Sequence, residues 1–478
     1  MTLLDLVALL PLIILTAAAT GIVLLMAVCR CHRTTALFSM AGLGLAVISL
    51  PFANSMAPNR AVTPLLMLDT YSFFYMGVMF VSSFVIAALA YAYFEKQDGR
   101  REEFYVLLLT ATLGAAFLSA SSHFVSLFMG LETLSISLYA MVAYTRDRRD
   151  SVEAAFKYLV LAAASAAFMV FGMALVYAEA GTMEFAKIAA ARGALEQGNH
   201  LVLLAGCAMM VVGIGFKLAL VPFHLWTPDV YEGAPAPVTA FVATVSKGGM
   251  FALLLRYFVL IDVHQYPSLM FLFTAIAVLS MFFGNLLALL QDNIKRILAY
   301  SSIANLGYVM IAFLASGHMA VPAGALYIAA YFITTLGAMG VISVMSTKER
   351  DADSFADYRG LFWRAPWIAA VFTAMLLSLA GIPLTAGFIG KFYVLAAGEE
   401  SSRWIGIAAL VVSSSIGLYY YLRIVLTMCE SAEDEAPVSR PSWTEATVLT
   451  GLAAALLFVG VYPGPLIHAA ETLVASIL

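Results

Sequence analysis

Apolar runs of about twenty residues recur along this chain from its beginning to its end. Of its 478 residues, 63% are hydrophobic and 11% are charged, whereas a soluble domain carries about 25% charged residues. Because a helix of about twenty residues crosses the apolar part of a bilayer, this pattern predicts an all-α polytopic membrane protein. No polar segment is long enough to predict a soluble domain.

The sequence predicts about fourteen transmembrane helices joined by mostly short loops. The predicted spans are 3–28, 35–55, 69–93, 104–121, 123–143, 152–178, 200–221, 237–261, 267–290, 296–316, 321–345, 366–396, 403–428 and 443–463. The first ten residues have no basic segment and include Asp5. They are therefore interpreted as the start of the first span and not as a cleaved signal peptide.

The basic residues indicate how the spans are oriented. Sixteen of the 25 Lys and Arg residues lie in odd-numbered connections, and four lie in even-numbered ones, namely Arg60, Lys187, Arg192 and Arg403. Positive charge accumulates in cytoplasmic loops. We therefore predict that the odd-numbered connections are cytoplasmic and that both termini lie on the other side of the membrane.

The other five basic residues lie within apolar runs or near their ends: Lys157, Lys217, Lys247, Arg256 and Lys391. Glu132 is an acidic residue in the middle of the fifth run. A charge at the bilayer centre costs at least ~2.5–3.5 kcal/mol, so such residues usually mark ion paths or proton relays. Arg256 is close to an outer end, where we expect it to snorkel to the surface.

Proline interrupts the seventh span at Pro222 and the twelfth at Pro383, so both helices are predicted to be broken. Broken helices are tolerated at membrane depth where they are buried or line a wet cavity, and a matched pair indicates an inverted-repeat transporter. We predict helices 1–3 in residues 1–103, two inverted five-helix repeats in 104–261 and 262–428, and a final loop and helix in 429–478.

The buried charges suggest proton transfer. Burial destabilises the charged form of an amine, and a nearby carboxylate stabilises it. If they are adjacent, Glu132 and Lys217 would therefore form a switch that binds or releases a proton as another charge approaches. Lys247 would be the next station and Lys391 the last. His224 would be accessory, because histidine titrates near neutral pH.

Simpler interpretations remain open for several of these residues. Glu132 could only tie two helices together, Lys157 could snorkel, and His224 could hydrogen-bond a carbonyl that the helix break leaves free. Asp229 and Glu232 are expected to fix their loop. Four scattered cysteines predict neither a disulfide framework nor an iron–sulfur centre. No metal or nucleotide site is predicted, so any linked redox chemistry is expected in another chain.

Four segments carry a resemblance to a known family: residues 130–135, 216–238 with 246–249, 292–302, and 381–391. Together they resemble subunit N of the NADH-quinone oxidoreductases (respiratory complex I), an antiporter-like family related to Mrp antiporters. The sister subunit M has glutamate where this chain has Lys391, and the sister subunit L adds a long lateral helix. The resemblance therefore favours N.

This resemblance implies a fourteen-helix fold in which Glu132, Lys217, Lys247 and Lys391 serve proton translocation and Lys157 modulates the pair between the fifth and seventh helices. It implies a bacterial inner-membrane location, and the distribution of basic residues then predicts that both termini are periplasmic. The partners would be a neighbouring antiporter-like subunit and small membrane subunits. FMN, iron–sulfur clusters and quinone would be bound by partner subunits, and quinone reduction there would drive the protons.

Two other functions are compatible with the sequence. A subunit of an Mrp-type cation/proton antiporter would share this architecture, although a sodium path should favour several intramembrane carboxylates as hard oxygen ligands, and only Glu132 is evident. A membrane scaffold with vestigial charges is the third possibility. Replacing Lys217 or Glu132 by alanine would separate the scaffold from the two transport functions.

Overall fold

The computed structural model describes residues 2–97, 99–190, 200–431 and 441–477. Arg192 and Arg440, two of the basic residues in the predicted connections, lie outside these ranges. The described helices before the second half of the chain are α1 (Leu3–Ala8), α2 (Leu10–Val28), α3 (His32–Met56), α4 (Thr70–Glu95), α5 (Glu103–Ala120), α6 (Phe124–Val142), α7 (Arg149–Ala180), α8 (Phe185–Ala190), α9 (His200–Leu218), α10 (Trp226–Gly233) and α11 (Ala236–Leu260). An antiparallel hairpin, β1 (Arg60–Val62) and β2 (Leu66–Leu68), precedes α4.

The second half of the described chain is also helical. Its helices are α12 (Pro267–Leu289), α13 (Ile294–Leu314), α14 (Ala320–Met345), α15 (Phe355–Tyr358), α16 (Leu361–Arg364), α17 (Pro366–Ala380), α18 (Ala386–Glu400), α19 (Trp404–Cys429), α20 (Trp443–Val461), α21 (Gly464–Glu471) and α22 (Val474–Ile477). Thirteen helices of the described ranges are long and apolar enough to cross a membrane. The predicted all-α polytopic fold is confirmed.

Both predicted helix breaks are present. In the seventh span, α9 ends at Leu218, Ala219 takes a left-handed φ of 60°, and α10 begins only at Trp226. In the twelfth, α17 ends at Ala380, the next residue Gly381 takes a φ of +89°, and α18 begins at Ala386. The prediction of a continuous first span is wrong in detail, because α1 and α2 are separate helices that meet at Leu9.

The eighth span has an irregularity that the sequence did not indicate. Residues Val242–Ser246 form a π-helical turn inside α11, immediately before Lys247. A π turn inserts one extra residue into the helix, and such turns often occur at functional sites. The turn therefore changes the direction in which Lys247 leaves the helix, relative to a regular α-helix.

Connections of the same parity contact one another. In the even-numbered set, Ser122 N donates to Leu65 O (3.1 Å) and Phe185 N donates to Ser122 O (2.9 Å). In the odd-numbered set, Ile294 N donates to Asp353 O (2.6 Å). This grouping follows from helices that alternate in direction. Which end is cytoplasmic stays a prediction, as does the division into two inverted repeats.

Three helices form the centre of the bundle. In the apolar 18-residue stretches of α11, α13 and α14, 100%, 94% and 89% of the residues are buried within the chain. The corresponding shares are 28% for α7 and 33% for α2. The central helices therefore reach neither lipid nor a neighbouring chain over most of their length. Lys247, Ser302 and Tyr331 lie on these three helices, one on each.

Candidate functional site

Lys217 is buried in the last turn of α9, just before the first helix break, and is 2% exposed. Its Nζ donates hydrogen bonds to Ser135 Oγ (3.1 Å) on α6 and to the Tyr158 hydroxyl (2.9 Å) on α7. Both partners are neutral hydroxyls on other helices. The surroundings of this ammonium therefore change whenever α6 or α7 moves relative to α9.

Glu132 is partly buried and lies one turn before Ser135 on the same face of α6. It interacts with Lys217 electrostatically. Within the described residues, however, it makes neither a hydrogen bond nor an ion pair within 4.0 Å. A cavity of about 10 Å³ adjoins Lys217 and Ser135, which is room for about one water molecule. The predicted pair is thus coupled across a gap and is not a contact ion pair.

Lys157 lies on the outer surface of α7, where its side chain is 45% exposed. Its Nζ forms ion pairs with Glu153 (2.9 Å) and with Asp229 of α10 (2.8 Å). Asp229 is also bound by Arg296 (2.9 Å). Lys157 is therefore joined to the second half of the broken seventh helix, next in sequence to Tyr158, which binds Lys217.

His224 lies inside the first helix break and is 6% exposed. Its Nδ1 is buried and has no hydrogen-bond partner in the part of the chain that the structure describes. The Phe216 carbonyl, also in this break, accepts hydrogen bonds from Ala219 N (3.0 Å) and from Trp226 Nε1 (2.9 Å). Both the accessory role of His224 and its simpler interpretation as a partner of a carbonyl in the break stay predictions.

Lys247 is completely buried at the centre of the bundle. Its Nζ donates to Ser302 Oγ (2.5 Å) and lies 5.6 Å from the centre of the Tyr231 ring. The hydroxyl of Tyr231 donates to the same Ser302 Oγ (3.1 Å), and the Tyr331 hydroxyl is 2.6 Å from it. Ser302 therefore joins one amine and two phenols in a single hydrogen-bonded group.

Lys391 lies just beyond the second helix break and is 8% exposed. It folds back along its own helix, and its Nζ donates to Leu379 O (2.9 Å) and Ala380 O (2.9 Å) at the end of α17. Its third bond goes to Ser414 Oγ (2.8 Å) on α19. A cation at the carboxyl end of a helix is favoured by the helix dipole, so Lys391 caps α17.

A small cavity connects the groups around Lys247 and Lys391. Its volume is about 10 Å³, and its walls include Tyr331, Asn305, Tyr327, Thr334, Ser378 and Lys391. The cavity has room for one water between Tyr331 and Lys391, which both line it. On the other side of Lys247, the described residues form no chain of hydrogen bonds that reaches Lys217. The two halves of the site are thus connected differently.

The expectation that Arg256 snorkels is wrong. Arg256 is 3% exposed and forms two hydrogen bonds with the carboxylate of Asp69 (2.8 and 2.7 Å), which is itself fully buried. Arg256 Nε also donates to Ser119 O (3.2 Å). Asp69 was missed as an intramembrane carboxylate because it stands at the end of a predicted span. A sequence signal that Asp69 begins a helix is Ser72, three residues later, because the two residues form a capping box at the start of α4.

A second buried ion pair lies near the opposite ends of the helices. Asp351, in the connection after α14, accepts from Lys295 (2.8 Å), from the Tyr93 hydroxyl (2.6 Å) and from Arg148 (3.2 Å). Burial raises the pKa of the Asp351 carboxyl. The nearby Lys295 ammonium and the hydrogen bonds from Lys295 and Tyr93 lower this pKa by more, so it lies below its usual value. The carboxylate is therefore ionised at neutral pH.

Cys29, Cys31 and His32 are close in sequence, but they do not form a group of metal ligands in the described structure. The His32 ring faces Glu95 Oε2 (2.8 Å) and the Tyr105 hydroxyl (2.9 Å). Within the described ranges, no group of three or more His, Cys, Asp or Glu side chains could hold a metal ion. His32 therefore joins the ends of α3, α4 and α5.

Comparisons with known proteins agree with one another. Residues 121–417 match the family described as NADH:quinone oxidoreductase/Mrp antiporter, transmembrane. The chain is 48% identical over 475 residues to NADH-quinone oxidoreductase subunit N of Ectopseudomonas mendocina (strain ymp), a match that covers 97% of this chain and 95% of the relative.

Solved structures have the same fold. A chain of respiratory complex I from Thermus thermophilus with bound aureothin is 32% identical, with a TM-score of 0.83 over 96% of this chain and 99% of that one. A chain of the Mrp complex from Dietzia sp. DQ12-45-1b is 20% identical, with a TM-score of 0.87 over 100% and 98%. At that identity the second match shows a common fold alone.

Proposed function

Because the chain belongs to the NADH:quinone oxidoreductase/Mrp antiporter family, and within it to subunit N, we propose that its buried amines carry protons across the membrane as part of a respiratory NADH-quinone oxidoreductase. It is a multi-span, antiporter-like membrane subunit. Glu132, Lys217, Lys247 and Lys391 are the translocating groups in this proposal, and Lys157 is the modulating one.

The observation that carries the proposal is the hydrogen-bonded group centred on Ser302. Lys247 and the Tyr331 hydroxyl both contact Ser302 Oγ, within 2.5 and 2.6 Å. A cavity with room for about one water then separates Tyr331 from Lys391. Hydroxyl groups both donate and accept, so a proton can be relayed along them when the amine at either end changes its charge. Lys247 and Lys391 are the two ends of this relay.

The Lys217 region supplies the second half of the proposal. Among the described residues, Lys217 Nζ hydrogen-bonds two neutral hydroxyls, and Glu132 acts on it from beyond contact distance. A charge that approaches or leaves this region therefore alters the relative stability of its protonated and neutral forms. We propose that Glu132 and Lys217 respond in this way to events in a neighbouring subunit, which makes Lys217 the input station.

The energy must come from outside this chain. Moving one charge against the membrane potential costs ~2.3 kcal/mol per 100 mV. We propose that quinone reduction in partner subunits, which bind FMN, iron–sulfur clusters and quinone, supplies it, and that this chain holds no redox centre. We further propose that it lies in a bacterial inner membrane with both termini periplasmic, beside another antiporter-like subunit and small membrane subunits.

The test is the ratio of proton translocation to NADH oxidation in membrane vesicles that contain the whole complex. Lys247→Met and Tyr331→Phe should both lower this ratio, because the first removes the amine and the second interrupts the relay. Tyr419→Phe is the matched control, since Tyr419 is 65% exposed on α19, and it should leave the ratio unchanged. An unaltered ratio in Lys247→Met, with the variant subunit present in the complex, would refute the proposal.

A further inference from the structure

The short helix α10 brings a side chain to the central relay. Tyr231, near its carboxyl end, donates to Ser302 Oγ (3.1 Å), and its ring lies 5.6 Å from Lys247 Nζ. α10 has only eight residues and follows a helix break, so its own hydrogen bonds hold it weakly. Something else must therefore fix the position of Tyr231 relative to Lys247.

The carboxyl end of α10 is held by side chains from other parts of the chain. Four successive carbonyls, those of residues 231–234, all accept hydrogen bonds. Thr239 donates to residue 231 (3.1 Å), Ser151 to residue 233 (2.6 Å), and Lys295 Nζ to residues 232 (2.9 Å) and 234 (2.6 Å). The last carbonyls of a helix have no partner within it, so these three side chains terminate α10 and set its position.

Lys295 is the only charged donor among them and is fully buried. Two of its three N–H groups bind α10, and the third binds Asp351. Asp351 in turn is bound by Tyr93 of α4 and by Arg148 just before α7. The pair Lys295–Asp351 thus connects the end of α10 to three other elements, α4, α13 and the start of α7.

A buried ion pair is not needed for stability as such, because replacing one by apolar residues of similar volume is often neutral or stabilising. Two apolar side chains could not donate hydrogen bonds to the carbonyls of residues 232 and 234, however. Beside Thr239 and Ser151, Lys295 supplies the two hydrogen bonds that fix the backbone directly after Tyr231. Asp351 supplies the counter-charge that keeps Lys295 in place.

We propose that Lys295 and Asp351 are positioning residues for Lys247: they fix the end of α10 so that Tyr231 stays bonded to Ser302 beside the amine. This inference rests on the proposed function, since it concerns the same relay. Neither residue touches Lys247, and both act through Tyr231. Loss of the pair should therefore impair proton transfer at Lys247 without impairing NADH oxidation.

The test uses the double variant Lys295→Met/Asp351→Leu in the intact complex, which removes both members of the buried pair together. Arg148, which is 22% exposed, keeps the Tyr93 hydroxyl and Lys348 O as hydrogen-bond partners. NADH oxidation should stay within about twofold of the wild type. The ratio of proton translocation to NADH oxidation should fall toward that of Lys247→Met. Loss of one neutral hydrogen bond to a reacting group slows a step about fivefold, so the ratio should remain above that of Lys247→Met.

Adding Tyr231→Phe separates a positioning role from a general structural one. If Lys295 acts through Tyr231, the triple variant should be no worse than the double variant. If the two losses are additive, the inference is overturned. Asp353→Asn is the matched control: Asp353 lies in the same connection but binds Asn293 (2.7 Å) and not Lys295, and its ratio should equal that of the wild type.

If the double variant does not assemble, Lys295→Gln/Asp351→Asn is the milder substitute, because its amide keeps one donor for the α10 carbonyls and should give an intermediate ratio. A wild-type ratio in whichever variant assembles overturns the inference. The proposed function fails separately, by a wild-type ratio in Lys247→Met. A low ratio in Lys247→Met with a normal ratio in the double variant therefore rejects the positioning role alone.

Discussion

The two broken helices hold their lysines in opposite ways. At the first break, Lys217 binds hydroxyls on two other helices, and a carboxylate acts on it from a distance. At the second, Lys391 binds two backbone carbonyls of its own broken helix, with one serine from α19. Both lysines lie on the half-helix toward the even-numbered connections, so position in the membrane does not explain the difference.

This difference separates two roles for a buried amine. Carbonyl oxygens at a helix end cannot reorient, so they favour a cation at Lys391 whatever the neighbouring helices do. Hydroxyls can donate or accept, so those around Lys217 accommodate either a charged or a neutral amine. Under the proposed function, Lys217 at the first break would therefore change its charge in response to neighbours. Lys391 at the second break would receive a proton and hold it until a stronger perturbation arrives.

The largest effect is expected from Asp351. Its ion pair with Lys295 fixes α10, which follows the first break, and has no counterpart at the second break among the described residues. Asp351→Asn leaves Lys295 buried without its counter-charge, which should destabilise the fold by about 3–5 kcal/mol. The thermal midpoint of the purified complex should fall accordingly. Arg423→Gln is a suitable control, because its partner Asp292 is 86% exposed and such pairs contribute little.

The same residue predicts how stability varies with acid. Because the folded pKa of Asp351 lies below its unfolded value, its contribution is complete above about pH 4 and is lost as the pH falls through the folded pKa. Asp351→Asn should therefore show a shallower loss of thermal stability below about pH 4 than the wild type. An equally steep acid limb in the variant would contradict a role for this carboxylate.

The next effect compares the two lysines directly. Lys391→Met should cost about 2–4 kcal/mol of stability, because the Leu379 carbonyl loses its donor and the Ala380 carbonyl keeps the long bond from Ser414 Oγ (3.4 Å). Lys217→Met should cost about 1 kcal/mol, because the Ser135 and Tyr158 hydroxyls can find other partners. Both variants should lower proton translocation, and thermal unfolding of each complex would measure the difference. Equal destabilisation would remove the distinction between the two breaks.

A smaller effect is expected at Gly381, the left-handed residue of the second break; at the first break the left-handed residue is Ala219. Its φ of +89° is unfavourable for other residues, and a Cβ there would lie 2.9 Å from Lys391 Cδ. Gly381→Ala should therefore cost about 1–3 kcal/mol and displace Lys391 from its carbonyls. Gly44→Ala is the control, since a Cβ at Gly44 meets nothing within 4 Å. An equal loss of stability in the two alanine variants would contradict a special constraint at Gly381.

The smallest effect is expected at Tyr158, beside the first break. Tyr158→Phe removes one of the two hydroxyls that hold Lys217 and should change stability by only about 1 kcal/mol. Proton translocation per NADH should fall by up to about fivefold. A clear loss of stability with unaltered translocation would mean that Tyr158 serves packing and not the amine. Its ring does pack on Trp226, with centroids 4.8 Å apart.

The sequence predicted those parts of the fold that depend on local pattern. Long apolar runs gave the spans, and Pro222 and Pro383 gave the two breaks, since each effect acts within a few residues. The π turn before Lys247 was not predictable, because its apolar residues are compatible with a regular helix. The burial of Lys217, Lys247 and Lys391 followed from their position within such runs.

The partners of the charges were less predictable than the charges. Asp69 and Arg256 are 187 residues apart, and nothing local to either residue indicates the other. Lys295 and Asp351 both stand in connections, where charges are ordinarily solvated, yet the fold buries them together. For Glu132 and Lys217, sequence alone could not decide between contact and a gap, because that depends on how far apart α6 and α9 pack.

The pairing of Asp69 with Arg256 has a consequence for biosynthesis. Synthesis at roughly 5–20 residues per second means that Asp69 is made about 10–40 s before its partner, which follows 187 residues later. Until then Asp69, at the start of α4 and at the membrane boundary, lacks the counter-charge of Arg256. The nascent chain must keep that end hydrated until α11 arrives with Arg256. Closure of this buried ion pair is therefore a late event in the maturation of this protein.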